Sequence, residues 1–166
     1  MIREFNGRRP NIASSAFISE AAYVIGDVLI GNNSSVWPGA VIRGDCCKIE
    51  IGENTCVEDN CVVHGDVRIG NGVIIGHGVV VHCNKIGNNV LIGNNATILD
   101  AAEIGSFCII GAGSLVTTEM KIPDNSLVMG VLAKIRGQVS SEQRLEIEEG
   151  AVFYTKLAQE YRGQGL

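Results

Sequence analysis

His64, His77 and His82 are the only histidines in this 166-residue chain, and all three fall in "VVHGDVRIGNGVIIGHGVVVHCNKIG", Val62 to Gly87. Neutral imidazoles ligate zinc, iron and cobalt and serve as bases near neutral pH. Three of them with an open fourth position describe a catalytic zinc site rather than a closed structural one. An ion held that way lowers the pKa of bound water to about 7, giving a hydroxide nucleophile near neutrality. A single histidine in such a stretch reads most simply as a turn or surface residue. Three confined to 19 residues call for a different explanation.

Whether the three can share an ion depends on the elements that carry them. Cutting every six residues from Ile51 gives IGENTC, VEDNCV, VHGDVR, IGNGVI and IGHGVV, then a five-residue unit, VHCNK. The frame resumes at Ile86 and runs to Ile122; upstream it fits from Ile12, with a three-residue insertion before Ile51. Position one is Ile or Val from Ile51 onward. Position five is small or β-branched, as at Thr55, Cys61, Val67, Ala96 and Cys108, and Cys46 falls there too. A six-residue unit suits one short strand and one turn, with aliphatics facing a central axis and Gly or Asn relieving the turn. Three such sides close a coil of 18 residues, and coils stack about 4.8 Å apart as parallel strands. Ile12 to Ile122 then makes roughly six coils of a triangular β-helix.

On this frame His64 and His82 both occupy position two, 18 residues apart. They stack on one face in adjacent coils, with backbones about 4.8 Å apart, close enough for both to hold one zinc. His77 occupies position three on a different side of the triangle. Five residues of strand span up to roughly 16 Å, and side chains on different sides diverge. His77 is therefore expected to reach that ion only from a neighbouring copy, in a closed threefold assembly.

The remaining sequence narrows the class. A formal net charge of −5 argues against nucleic acid or an anionic membrane as partner. No apolar run is long enough to span a bilayer, and "MIREFNGRRP" lacks the apolar core of a secretory signal. A cytoplasmic protein is expected. Six cysteines without a CxxC pair are expected as reduced thiols. Residues 1–124 are read as the β-helix, and 125–166 as a loop and a C-terminal α-helix packed on it. Within the helix, Ser140 with Gln143 resembles a capping box, and Ile147, Ala151, Tyr154, Ala158 and Tyr161 form one stripe. Gly150 is a place for a kink, since glycine costs about 1 kcal/mol there.

The segments "VIRGD" (Val41–Asp45), "IGENTCVEDNCVVH" (Ile51–His64), "IGHGVVVHCNKIGNNVLIG" (Ile75–Gly93) and "IGAGSLV" (Ile110–Val116) resemble the γ-class carbonic anhydrases. Partial matches at Gly130–Gly137 and Tyr154–Tyr161 extend the likeness over nearly the whole chain. The resemblance implies a left-handed parallel β-helix and a homotrimer with metal sites at subunit interfaces. It implies CO2 hydration by metal-bound hydroxide, with bicarbonate displaced by water. His64, His77 and His82 match the metal ligands, with Zn2+ expected and Fe2+ or Co2+ compatible. By position, Arg43 and Asp45 match a pair near the site, Asp59 an interface aspartate that partners an arginine, and Tyr154 a helix tyrosine at the pocket.

The chain also departs from that pattern. Glu58 stands where the family usually has Gln, in position to accept a hydrogen bond from bound water. Cys46 stands where the most active members carry Glu. "GDVRIG" follows His64 directly, without an acidic proton-shuttling loop, and Leu132 replaces a usual Pro. Two alternatives therefore stand beside the anhydrase reading. One is a trimeric metal-binding relative with little or no turnover. The other is a hexapeptide acyltransferase using one histidine as a base, for which three clustered histidines are more than it needs.

Overall fold

The six-residue period is realised as strands of two or three residues separated by tight turns. The computed structural model describes residues 1–165 as a left-handed parallel β-helix followed by one helix, α1 (Ser141–Gly163). One side of the prism stacks seven parallel rungs, from Phe17–Ile18 through Ser35–Val36, Cys56–Val57, Ile74–Ile75, Leu91–Ile92 and Ile109–Ile110 to Ser126–Met129. The other two sides form one sheet, because Tyr23–Ile30 and Val41–Ile51 continue round a corner.

The interior follows from position one. From Val24 to Ile122 every residue of that set is buried, including Ile42, Val63, Val81 and Ile98. Each contributes about 1.5–3 kcal/mol by leaving water. Position five fills the narrow part of each coil, with Thr55, Cys61, Val67, Ala96 and Cys108 also buried. Corners need left-handed backbone, and Asn33, Asn54, Asn60, Asn89 and Asn95 supply it at φ of 52 to 58°. A side-chain ladder ties successive coils: Glu53 N–H donates to Asn71 Oδ1 (2.8 Å) and Asn71 N–H to Asn88 Oδ1 (2.9 Å). It continues from Asn88 N–H to Ser106 Oγ (3.1 Å) and from Ser106 N–H to Asp124 Oδ1 (2.7 Å).

Four details differ from the sequence reading. The rung at Ser126–Met129 extends the stack to seven. The segment after residue 124, expected as a loop, instead forms that rung and an antiparallel strand, Lys134–Gln138, that closes the end of the sheet. The three-residue insertion lies earlier than expected. Gly26 pairs with Gly44 but Val28 with Ile49, so the extra residues sit between Gly44 and Ile49. Ile49 thereby takes the buried fifth position, and Cys46 is pushed out to solvent rather than packed. All six cysteines are unpaired, with Cys56, Cys61, Cys83 and Cys108 buried.

Helix α1 begins with the expected capping box at Ser140 and Gln143 and runs unbroken through Gly150. That glycine serves close approach instead of a kink: a Cβ there would lie 2.8 Å from Ile74 Cδ1. The helix lies across the seven-rung face, burying Ile147, Ala151 and Ala158. Trp37 anchors it, with ring centroids 5.0 Å from Tyr161, 5.2 Å from Phe17 and 6.4 Å from Tyr154. No helix among the described residues is long and apolar enough to cross a membrane.

Candidate metal centre

Register decides which side chains meet. Val63 and Val81 pair one rung apart, so the residues after them, His64 and His82, stand on one face with ring centroids 5.0 Å apart. His64 Nδ1 lies 3.1 Å from His82 Nε2. A carboxylate holds each ring from behind: Asp100 Oδ1 is 2.8 Å from His82 Nδ1, and Asp45 Oδ1 is 3.2 Å from His64 Nε2. Carboxylates accept the ring N–H, which leaves His82 Nε2 and His64 Nδ1 as bare nitrogens facing each other. A cation between two such nitrogens would satisfy both. A tetrahedral ion with bonds of 2.0–2.1 Å sets two nitrogens about 3.3 Å apart, so the donors fit a metal of the zinc class.

Arg43 Nη1 donates to Asp45 Oδ2 at 2.5 Å, leaving Oδ1 for His64. That bond to Arg43 holds the Asp45 carboxyl below its ordinary range, so it is ionised at neutral pH. Arg43 comes from the long strand Val41–Ile51, paired directly with His64.

His77 sits elsewhere. It lies on another side of the prism, one coil beyond Asp59, with Nδ1 3.0 Å from Asp59 Oδ2 and 3.6 Å from Glu58 Oε2. Its side chain is 53 % exposed. Among the described residues, donor atoms cluster as Asp45, Cys46 and His64, and separately as Glu58, Asp59 and His77. One chain thus brings His64 and His82 together and leaves His77 apart. Within the chain Arg43 engages Asp45 and Asp59 engages His77; the arginine–Asp59 pairing implied by the resemblance is not among these contacts.

Glu58 is buried beneath α1. Cys56 Sγ donates to its Oε1 at 3.2 Å, and Trp37 Nε1 donates to Cys56 Sγ (3.1 Å) and Ser35 Oγ (3.0 Å). Burial pushes the Glu58 carboxyl up, opposed by bonds from Cys56 and the Tyr154 hydroxyl. Burial first, and then the charge of Glu58, pushes the Tyr154 phenol up to about 12, so it stays a donor. The helix stripe and the aromatic cluster around Trp37 hold Tyr154 in place.

Three contacts go beyond the sequence reading: Asp100 behind His82, Cys46 Sγ 3.4 Å from His64 Nε2, and Cys56 beneath Glu58. The 18-residue coil carries the signal for the first, since Asp100 is 18 residues after His82; across the insertion Arg43, not Cys46, is in register with His64.

Comparison with known proteins agrees with this picture. The model described as "Bacterial transferase hexapeptide (six repeats)" matches residues 48–83 and 85–118. A carbonic anhydrase of Geobacillus kaustophilus is 39 % identical over 98 % of this chain and 91 % of its own. The mitochondrial gamma carbonic anhydrase 2 of Arabidopsis thaliana is 35 % identical over 92 % of this chain; the match spans 58 % of that longer protein. Among solved structures, a hexapeptide transferase family protein from Anaplasma phagocytophilum superposes with a TM-score of 0.94 at 38 % identity, covering 96 % of this chain and 97 % of that one. With these relatives, the repeat and the paired histidines, the chain belongs to the γ-class carbonic anhydrase-like family of hexapeptide-repeat proteins.

Proposed function

We propose that this chain is a metal-dependent lyase of the carbonic anhydrase type, hydrating CO2 to bicarbonate at zinc-class sites shared between copies of a homotrimer. The observation that carries the reading is the pair of facing nitrogens, His64 Nδ1 and His82 Nε2, each ring backed by a carboxylate. His77 of a neighbouring copy supplies the third nitrogen; its exposure on a separate side of the prism suits that role. When bound, the ion supplies Lewis acidity that brings a coordinated water's pKa to about 7.

The chain's own residues do the rest. Asp45 and Asp100 fix the protonated nitrogens of the two rings, and Arg43 keeps Asp45 charged and oriented. Glu58 and Tyr154 place an acceptor and a donor beside His77, where they orient the water and the bicarbonate oxygens. A second reading, the same metal site with little turnover, is favoured by one feature: the residue after Asp45 is the thiol Cys46, which leaves no carboxylate there to carry protons outward.

Metal analysis joined to stopped-flow CO2 hydration tests both, with His64→Ala as control. Stoichiometric metal and hydration that vanish together in the variant support the lyase. Metal without hydration supports the second reading, and absence of both defeats the two.

A further inference from the structure

The dipeptide Asn-Gly occurs at Asn6–Gly7 and again at Asn71–Gly72. In such a pair the glycine nitrogen, unhindered by a side chain of its own residue, is a nucleophile beside the asparagine carboxamide. The fold exposes the first pair and locks the second. We propose that Asn6–Gly7 is a site of spontaneous covalent modification, where a succinimide forms and opens to isoaspartate, releasing the N-terminal strand Ile2–Arg3 from the first coil.

Asn6 and Gly7 form the tip of a two-residue hairpin in left-handed backbone, at φ of 49° and 76°. Both are exposed, and nothing lies within 4 Å of where a Gly7 Cβ would stand. Two bonds close the hairpin, Phe5 N–H to Arg8 O (2.9 Å) and Arg8 N–H to Phe5 O (3.0 Å). Among the described residues no backbone carbonyl accepts the Gly7 N–H, and no hydrogen bond holds the Asn6 carboxamide. Asn71–Gly72 has the opposite setting. Asn71 Oδ1 accepts the Glu53 N–H (2.8 Å), and the Gly72 N–H donates to Glu53 O (2.9 Å). Asn71 N–H donates to Asn88 Oδ1 (2.9 Å). Nucleophile and electrophile are both tied to Glu53, so freeing them means opening the middle of the prism rather than a terminal turn.

The chemistry needs only water. The Gly7 nitrogen bonds to Asn6 Cγ, the bond from Cγ to the amide nitrogen breaks, and ammonia leaves with the proton that Gly7 gives up. Water then opens the ring at either carbonyl, giving aspartate or isoaspartate. Both products place a new carboxylate near Arg8, where it competes with Asp27 for the guanidinium now held at 3.0 Å. Isoaspartate also adds a methylene to the backbone at the hairpin tip, so Phe5 and Arg8 lose their register. That tip links strand Ile2–Arg3, which pairs with Val24 and Ile25, to the rung at Asn11–Ile12. A longer tip pulls against both pairings, and the short outer strand is the one that yields.

Incubation of the full chain in mildly alkaline, heavy-oxygen water, followed by peptide mass mapping, tests the proposal. In the folded protein Asn6 is expected to convert to labelled acid at least about tenfold faster than Asn71. In guanidinium chloride, where both pairs are free, the two are expected to convert at comparable rates. Three results overturn the proposal: Asn71 converting as fast as Asn6 in the folded protein, Asn6 keeping its amide there while the unfolded chain loses it, or the same preference persisting in guanidinium chloride. Hydrogen exchange reads the release of the strand. The Val24 N–H, which donates to Met1 O at 2.9 Å, should exchange faster in protein enriched in isoaspartate. Asn6→Gln protein carried through the same incubation should keep the fresh rate. Unchanged Val24 exchange in the isoaspartate form overturns the release.

Discussion

The two histidine regions of the molecule are built in opposite ways. His64 and His82 are stacked by register, partly covered, and each is braced by a carboxylate from a neighbouring coil. His77 projects to solvent from another side, with Asp59 beside it and the buried Glu58 behind. A solenoid repeats side-chain direction every coil, so it places two ligands together easily and a third on a different side not at all. The pair is preorganised by the fold, whereas the single histidine is positioned for something outside the chain.

The largest expected effect comes from removing a member of the pair. His64→Ala should lose all metal by elemental analysis while its far-ultraviolet circular dichroism matches wild type, since the ring lies outside the apolar core. Retained stoichiometric metal would break the comparison. Next, Asp100→Asn should weaken metal binding about 10- to 100-fold, because it releases the ring that the coil register alone does not hold. A competition titration with a chelating dye reads this, and an unchanged affinity would mean that Asp100 is ornamental to His82.

The His77 side depends on α1 and its closeness to the prism. Gly150→Ala should cost about 1–3 kcal/mol in urea unfolding, since its Cβ would press on Ile74 Cδ1 at 2.8 Å. The gain in helix propensity offsets about 1 kcal/mol of this. A stabilised variant would show that the helix shifts freely. The smallest effect is a pH slope from Glu58. Burial raises its folded-state pKa, so the stability linked to its proton is present in acid and lost as pH rises through the folded value. Glu58→Gln removes that loss, so the variant should gain on wild type as pH rises above the ordinary carboxylate range of about 4. Wild type gaining on the variant over that range would reverse the assignment.

Much of this was legible in the residues because a solenoid is nearly one-dimensional. Ile or Val at position one fixed the buried axis, and 18-residue spacing placed His64 over His82 without any long-range guess. Legibility failed where the period broke. The repeat frame puts the insertion next to Ile51, and only pairing of Val28 with Ile49 shows that it falls earlier, which exposes Cys46. The end rung at Ser126–Met129 carries no hexapeptide signature, so its strand looks like loop in the sequence. Gly150 looked like helix weakness because sequence shows propensity, whereas the reason lies across the interface in Ile74. The network of Trp37, Cys56, Glu58 and Tyr154 joins distant segments and is set by packing of α1, which no local spacing encodes.

The central claim is that the paired histidines and His77 act from different chains, and mixed assemblies test it most directly. His64→Ala and His77→Ala proteins are unfolded together in equal amounts, refolded, and assayed for tightly bound metal and CO2 hydration. Each variant alone has no complete site. In a mixed trimer, one of three interfaces joins intact His64 and His82 on one copy to intact His77 on the next, so random mixing predicts recovery of about a quarter of wild-type sites. Recovery near that level is the expected result. A mixture that stays as empty as its parents, or a His77→Ala protein that alone retains full metal and hydration, would contradict the account.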